Sequence, residues 1–214
     1  SEWQTRPRCR FPLDLKAGFA MALPHPGMFN SASKLFSLRL RAHLALGDSD
    51  AAYADFCEGL QSYRALRDEP TLISGLVQIS ALATLKDAVG SGLHDHAWAD
   101  TDLQKIDADL AAVRLWQDYR RAFASERGGG NWMYDTLADA SAAKRGGLLA
   151  MMFGGFGSGP TNSDMALALV PRRVFRDNQL RHNQFSDEWM SRIDPAGLRF
   201  FPDTPAPSSP ENFK

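Results

Sequence analysis

The residues best suited to chemistry in this sequence are His94, Asp95 and His96, which stand next to one another in a polar segment. Two imidazoles and a carboxylate are typical ligands of zinc or iron. However, both histidines of an H-x-H segment point the same way only on an extended backbone, and a structural metal site needs a complete ligand set. The remaining histidines, which are scattered along the chain, are His25, His43 and His182. The sequence therefore predicts a solvated loop without a metal ion, with His94 and His96 as weak metal candidates.

A glycine-rich segment at residues 154–159 invites comparison with phosphate-binding loops, in which backbone amides hold an anion. With the two residues after it, the segment reads GGFGSGPT, so no Lys-Ser/Thr follows the last glycine and the G-x-G-x-x-G pattern is not met. It also follows an apolar helical stretch and not a strand. We therefore expect no nucleotide site and no other cofactor.

No pattern in the sequence identifies a catalytic residue. There is no nucleophile elbow and no Cys-His signature. The carboxylates Asp87, Glu126 and Glu188 have no paired acid, nucleophile or histidine at a characteristic spacing. These absences favour a role without catalysis. The remaining candidates for catalysis are groups that are separate in the sequence and converge in the folded chain.

An interaction surface is the kind of site that the composition favours instead. Arginines gather near the start of the last predicted helix, and large apolar residues gather before and within the glycine-rich segment. The candidate surface residues are Met151, Met152, Phe153, Phe156, Arg172, Arg173 and Arg176. The formal net charge is only −1, which gives no global field toward nucleic acid. A protein or peptide is therefore the expected partner.

The elements that must position these residues begin with a predicted helix hairpin at residues 35–70. Apolar side chains of its second arm recur at steps of one, three and four residues, which places them on one helix face. They are Ala52, Tyr53, Phe56, Cys57, Leu60 and Tyr63. Gly47 is suited to the left-handed conformation that ends the first arm. Asp48, Ser49 or Asp50 can accept hydrogen bonds from the amides that open the second arm.

This hairpin resembles one tetratricopeptide unit, with Gly47-Asp48 at the turn, Ala52 at the small packing position and Phe56 one turn later. The next segment, at residues 71–113, lacks the turn signature at the expected spacing of about 34 residues. A compact bundle that contains one such hairpin is therefore favoured over a repeat array.

Glycines and a capping pattern predict the bounds of the later helices. A helix that follows Pro70 should stop near Gly90 and Gly92, because glycine is unfavourable inside a helix. A capping box of Thr101 and Gln104 should open the next helix, and the glycines at 128–130 should end it. Further helices are predicted at residues 132–143, around 148–153 and at 171–193.

Together these patterns predict an all-α fold, an irregular bundle of about six to eight helices that contains the tetratricopeptide-like hairpin. We expect a single domain over residues 1–214. Its parts are a wrapping arm at 1–30 with a short helix near 14–22, a helical body at 31–193, and an extended proline-rich tail at 194–214.

The two cysteines, Cys9 and Cys57, are too few for a disulfide framework or a cysteine metal site. Cys57 is predicted to be a core residue, and a bridge between the two is left open. No uninterrupted apolar run is longer than the six residues at 148–153, which is far shorter than the roughly 20 residues that span a bilayer. We therefore expect a soluble domain.

Segments along most of the chain carry a family resemblance. They read RPRCRFPLD, LPHPGMFNSASKLFSLRLRAHLALGD, RDEPTLISGLVQI, SERG and VPRRVFRDNQLRHNQ. Over nearly its full length the sequence is similar to uncharacterised soluble domains of Planctomycetes and Verrucomicrobia. The resemblance implies a bacterial protein with a hydrophobic membrane anchor upstream of Ser1. It brings no activity, substrate or cofactor with it.

The function expected from the sequence is a domain without catalysis that presents a groove, or the segment at residues 146–160, to a protein or peptide. The alternative is a small-molecule-binding protein or a hydrolase of unrecognised type, with a pocket between Leu148 and Phe156. His94, His96 or Glu126 would give that pocket its polarity. An enclosed cavity with converging ionisable groups would favour the alternative.

Overall fold

The structure is a computed structural model that describes residues 9, 11–14, 17, 21–153, 169–194, 196, 199 and 200. The predicted all-α class is confirmed, with seven helices among these residues. They are α1 (Pro24–Ala45), α2 (Ser49–Ala65), α3 (Leu72–His94), α4 (Asp100–Ala111), α5 (Leu115–Asp139), α6 (Ala142–Phe153) and α7 (Arg172–Ser191). Two short strands, β1 (Ile193–Asp194) and β2 (Arg199–Phe200), pair antiparallel with Ile193 opposite Phe200.

The chain divides into two compact units. The first unit contains Ser1–Pro12 and Leu23–Ala122, and the second contains Leu13–Ala22 and Phe123–Lys214. The boundary falls within α5, so its first two turns belong to the first unit and the rest to the second. The expectation of a single domain over residues 1–214 stays a prediction.

The predicted hairpin forms the centre of the first unit. Gly47 has φ +78°, the left-handed conformation that favours glycine, and it follows the end of α1 as expected. The Asp48 side chain accepts a 3.0 Å hydrogen bond from the amide of Ala51 and so caps α2. The turn is therefore confirmed, whereas the finer likeness to a tetratricopeptide unit stays a prediction.

The expected bounds of the wrapping arm and the helical body were wrong, because α1 already begins at Pro24. Proline is well suited to the first turn of a helix, where its missing N–H has no intrahelical partner to lose. The arm therefore ends before residue 24, not at residue 30. Most of the predicted short helix near 14–22 lies outside the described residues.

The core of the first unit lies between α1, α2 and α3, with α4 packed against it. Its fully buried large side chains are Leu40, Phe56, Leu60, Leu66 and Leu85. The indole of Trp98, in the loop after α3, donates a 3.1 Å hydrogen bond to the carbonyl of Val89 and closes one end of this core. Cys57 packs against the same cluster as a partly buried residue, and both cysteines are free thiols.

The predicted end of α3 near Gly90 and Gly92 was wrong, since the helix continues to His94. A Cβ atom added at Gly92 would lie 2.4 Å from Leu44 Cδ1 and 2.4 Å from Trp98 Nε1. Because Gly92 has no side chain, α3 can approach Leu44 and Trp98 closely. Tertiary packing outweighs the small unfavourable helix propensity.

The predicted start of α4 and the predicted end of the helix that follows it were also wrong. The Thr101–Gln104 capping box does not open α4, which begins one residue earlier, at Asp100. The predicted continuous helix is interrupted after Ala111, and α5 runs through all three glycines at 128–130. At Gly130 an added Cβ would lie 2.6 Å from Nε2 of His182, so this glycine too permits close packing.

The second unit is built from the later part of α5 with α6 and α7. Its buried apolar cluster contains Leu137, Ala138, Leu149 and Phe175. The buried Arg145 donates hydrogen bonds to the carbonyls of Leu137, Ala140 and Val170, at 2.7, 3.0 and 2.7 Å, and its guanidinium lies over the ring of Phe175. It thereby satisfies carbonyls at the end of α5.

The last helix was predicted to reach Ile193, but α7 ends at Ser191 and Ile193 belongs to β1. The glycine-rich segment from residue 154 onward and the tail from residue 201 lie outside the described residues. Within the described part of the chain, α3 is the one helix long and apolar enough to cross a membrane by length and composition. Buried Ser74 and Gln78 lie on this helix, and Gln78 donates to the carbonyl of Tyr63 at 3.0 Å.

Candidate docking surface

The most distinctive surface of the first unit is the outer face of α1. Large apolar side chains are exposed there, with Met28, Leu35 and Leu38 at 64%, 54% and 66% exposure. With the exposed small residues between and beyond them, they follow alternating steps of three and four residues. We call this set the α1 seam, and it consists of Met28, Ser31, Leu35, Leu38, Ala42 and Ala45.

The α1 seam lies on the side of the helix opposite to the core. The core-facing residues of α1 include Phe29, Leu40 and Leu44, which are all buried. At 100° per residue the two sets point in opposite directions. A helix that is apolar on opposite sides is normally covered on both, yet the residues that the structure describes cover only one side of α1.

Basic residues flank the α1 seam. Lys34 and Arg41 are exposed on one flank, and neither forms an ion pair with any residue that the structure describes. Arg39 lies on the other flank, where its guanidinium is 3.0 Å from Asp55 and 5.7 Å from the centre of the Phe36 ring. The α1 sequence contains no acidic residue. The seam is therefore an apolar strip that has basic residues of α1 on both flanks.

A groove of about 630 Å³ runs between α1 and α2, next to the flank that carries Arg39. Most of its α1 wall is apolar and most of its α2 wall is polar. The lining residues are Met28, Phe29, Ala32, Phe36 and Arg39 from α1, with Ala54, Asp55, Glu58 and Ser62 from α2. Because Met28 belongs to both features, the groove opens beside the seam.

Asp55 is the unusual group of this groove. Its carboxylate is 4% exposed, and Arg39 pairs with Oδ1. Oδ2 accepts no hydrogen bond from the described residues, and it lies 3.5 Å from Nε2 of His43. Burial raises the pKa of Asp55 above its ordinary value, while Arg39 and His43 act in the opposite direction. Such incompletely paired buried polar groups weaken a fold.

Other buried carboxylates of the first unit are fully used by the fold. Asp102 accepts hydrogen bonds from Ser49 Oγ at 2.6 Å and from Lys105 Nζ at 2.8 Å, and these contacts lower its pKa. Ser49 Oγ in turn accepts a 3.0 Å hydrogen bond from the amide of Ala99, the N-cap residue of α4. This bond is found at the start of α4, where the sequence predicts a capping box. This network ties α2 to the start of α4.

A buried cluster of Ser74, Glu69 and His25 has the residue types of a hydrolytic triad but not its geometry. The serine hydroxyl donates to Glu69 Oε1 at 2.6 Å, and His25 Nε2 lies 2.5 Å from Glu69 Oε2. Both therefore converge on the carboxylate, whereas a catalytic serine must hydrogen-bond to the histidine. With His25 also stacked on Phe11 at 4.0 Å, the cluster joins the N-terminal segment to the hairpin and α3.

The weak metal candidates lie at the end of α3. His94 is the last residue of that helix, His96 has φ 52°, and both side chains are exposed. Within the described part of the chain, no three His, Cys, Asp or Glu residues are placed to hold a metal ion.

The arginines of the predicted interaction surface lie on the first turns of α7. Arg172 pairs with Asp139, and Arg176 pairs with both Asp135 and Asp139 of α5. The third, Arg173, lies 3.6 Å from Asp177 on its own helix. Their positive charge is thus largely balanced within the second unit. The side chains of Met151, Met152 and Phe153, and the whole of Phe156, are outside the part that the structure describes, so this surface stays a prediction.

Sequence reasoning missed the α1 seam and the groove. The signal for the seam was present, since three-and-four spacing joins Met28, Leu35, Leu38 and Ala42, and α1 lacks acidic residues. The hairpin pattern does not reveal it, because Met28 precedes the predicted hairpin at residues 35–70 and that pattern indicates one apolar face. Comparisons of this chain with protein-family models, with curated proteins and with solved structures found no match.

Proposed function

We propose that this protein is an interaction domain without catalysis, and that α1 is the element that docks its partner, an amphipathic helix of another protein. The observation that carries the proposal is the exposed α1 seam. Soluble proteins seldom leave a contiguous apolar strip in contact with water unless another surface covers it. The strip extends for about 26 Å between Met28 and Ala45, at 1.5 Å per residue.

The spacing of the seam favours a helix as the occupant. Alternating steps of three and four residues form the narrow a/d strip of a coiled coil, in which each side chain fits between side chains of a facing helix. In this register, Met28, Leu35 and Ala42 occupy a positions, and Ser31, Leu38 and Ala45 occupy d positions. Helix-in-groove recognition uses the same spacing.

The charges next to the seam favour another protein over a second copy of this chain. In a coiled coil the e and g positions of the two helices face one another. These positions hold Arg39 at e, with Lys34 and Arg41 at g, and α1 has no acidic residue. In a second copy, α1 itself supplies no acidic residue to face Lys34 and Arg41, and in an antiparallel pair these basic residues of the two copies would face one another.

The proposal is tested with a synthetic peptide of about three heptads that has leucine at a and d and glutamine at e and g. Its affinity for the full chain is measured by fluorescence anisotropy. We expect binding that weakens about tenfold or more in the double variant Leu35→Glu/Leu38→Glu, because each glutamate would be desolvated at the contact. The control is Leu180→Glu on α7, where the leucine is 63% exposed and outside the seam.

Three results would overturn the proposal. The first is no binding, or equal binding to the wild type and the double variant. The second is sedimentation as a dimer that Leu35→Glu/Leu38→Glu converts to a monomer, which would assign the seam to a second copy. The third is seam-dependent binding to phosphatidylserine vesicles without peptide binding, which would assign it to a membrane surface.

The alternative function, a small-molecule-binding protein or a hydrolase with its pocket between Leu148 and Phe156, stays a prediction. Much of that stretch is outside the described residues. The groove between α1 and α2 is lined by none of the residues of that stretch.

A further inference from the structure

We infer that the partner helix is acidic on one flank only, and that its other flank places a large apolar side chain in the groove between α1 and α2. This inference rests on the proposed function, because it specifies the chemistry of the helix that covers the α1 seam.

The acidic flank follows from Lys34 and Arg41. They are seven residues apart, so they occupy equivalent g positions about 10.5 Å from one another along the same side of the seam. Both are exposed and have no ion-pair partner within the described part of the chain. Glutamate or aspartate at the facing positions of a partner helix would pair with them. Such flanking pairs set partner choice more than they set affinity.

The opposite flank has different chemistry. Its basic residue, Arg39, already pairs with Asp55 and lies over Phe36. Beyond Arg39, the α2 wall of the groove carries the carboxylates of Asp55 and Glu58. A second row of acidic residues on the partner would meet these carboxylates, and like charges in a partly desolvated contact are unfavourable. The partner is therefore expected to have no acidic residue on this side.

The groove gives this flank an apolar anchor site. Its α1 wall includes Ala32 and the rings of Phe29 and Phe36, and its volume of about 630 Å³ accommodates a large side chain. Met28 lines both the seam and the groove, so a side chain that leaves the facing helix beside Met28 enters the groove directly. Buried aromatic anchors of this kind supply much of the binding energy of helix recognition.

The experiment extends the peptide panel of about three heptads. Alongside the glutamine-flanked peptide, it includes glutamate at e only, glutamate at g only, glutamate at both, and lysine at both. Each single-flank peptide is also made with tryptophan or with alanine at one position of its non-acidic flank. We expect one of the two single-flank peptides to bind about fivefold or more tighter than the glutamine peptide and tighter than the doubly acidic one. This advantage should shrink in high salt.

Two variants of the protein test the two halves of the inference. Lys34→Glu/Arg41→Glu should reverse the preference, so that the lysine peptide binds better than the acidic one. Ala32→Trp should fill the groove and remove the gain that a tryptophan at the non-acidic flank of the peptide gives over alanine. Thermal unfolding of both variants checks that they are folded.

The outcomes separate the inference from the proposed function. If the glutamine peptide binds through Leu35 and Leu38 but peptide charge has no effect, the inference is wrong and the proposed function stands. If the doubly acidic peptide binds best, or if tryptophan gives no gain, the one-sided arrangement is wrong. If no peptide in the panel binds, the proposed function itself fails.

Discussion

The hydroxyl of Tyr63 on α2 donates a 2.6 Å hydrogen bond to Oδ2 of Asp118 on α5. The tyrosine is 2% exposed and the carboxylate of Asp118 is 1% exposed, so the bond is shielded from water. Burial, followed by the bond to Asp118, raises the pKa of Tyr63, which keeps its hydroxyl protonated as the donor. Arg67 Nε supplies a second donor to Oδ1 of the same carboxylate at 3.1 Å. This contact fixes α2, one wall of the groove, to the start of α5.

Tyr63→Phe is therefore expected to lower the free energy of unfolding by about 1.5–3 kcal/mol, because it leaves one buried carboxylate oxygen unpaired. Urea unfolding followed by circular dichroism measures the change. Tyr53→Phe is the matched control, since Tyr53 donates a 2.9 Å bond to the partly exposed Asp109 on α4. The control should lose about 1 kcal/mol or less. Equal losses in the two variants would contradict the role assigned to burial.

The three consecutive glycines of α5 provide a second matched pair. A Cβ at Gly130 would lie 2.6 Å from Nε2 of His182, while a Cβ at Gly128 would meet nothing within 4 Å. Gly130→Ala should destabilise the protein by about 1–3 kcal/mol through overpacking. Gly128→Ala should stabilise it by up to about 1 kcal/mol through higher helix propensity. Thermal unfolding of both variants checks the prediction, and a gain at both positions would show that His182 moves aside without loss.

These glycines also show why local signals in the sequence predict some boundaries and not others. The turn at Gly47-Asp48 was predicted correctly because its determinants are local, namely a positive φ and a side-chain cap within three residues. Gly92 and Gly130 were predicted to end helices on the same local reasoning. There, the deciding contacts include Leu44 on α1 for Gly92 and His182 on α7 for Gly130, which are on other helices.

The candidate site divides in the same way. The spacing of Leu35 and Leu38 and the basic flanks of α1 can be read from the sequence alone. The sequence alone does not show whether that face is covered, because its exposure depends on which side of α1 meets α2 and α3. The groove, and the Asp55 oxygen that accepts no hydrogen bond from the described residues, likewise exist only once α1 and α2 are packed.

The half-buried imidazole of His182 predicts a pH dependence of stability. Burial and, after it, the charge of Arg127 lower the pKa of His182 below its ordinary value of 6.5, against the weaker effect of Glu126. Between the lowered pKa and about 6.5, the unfolded chain binds more protons than the folded protein. The contribution of His182 is therefore complete above pH 6.5 and is lost as the pH falls below it.

The measurement is the free energy of unfolding at about pH 7.5 and about pH 5.5, for the wild type and for His182→Gln. Glutamine cannot titrate in this range, so the loss of stability on acidification should be smaller in the variant. An unchanged or steeper loss in His182→Gln would show that other groups cause the acid sensitivity.

Asp55 and Asp102 are both buried aspartates of the first unit, yet they should respond oppositely to replacement by asparagine. The folded state holds the pKa of Asp102 below 3.8, so its carboxylate stabilises the fold at neutral pH and loses that effect only under more acidic conditions. The folded state holds the pKa of Asp55 above 3.8, so its ionised form opposes folding at neutral pH and this effect is relieved on acidification.

Asp102→Asn should therefore destabilise the protein at pH 7 by about 1.5–3 kcal/mol, through its charged hydrogen bonds to Lys105 and Ser49. Asp55→Asn should be neutral or stabilising at the same pH. The ion pair it removes involves an Arg39 side chain that is 53% exposed, and such pairs contribute little. Urea unfolding of the two variants decides the matter. A large decrease in the free energy of unfolding in Asp55→Asn would mean that this carboxylate stabilises the fold. An increase would mean that the chain retains the carboxylate at the expense of stability, next to the surface where the partner is expected to bind.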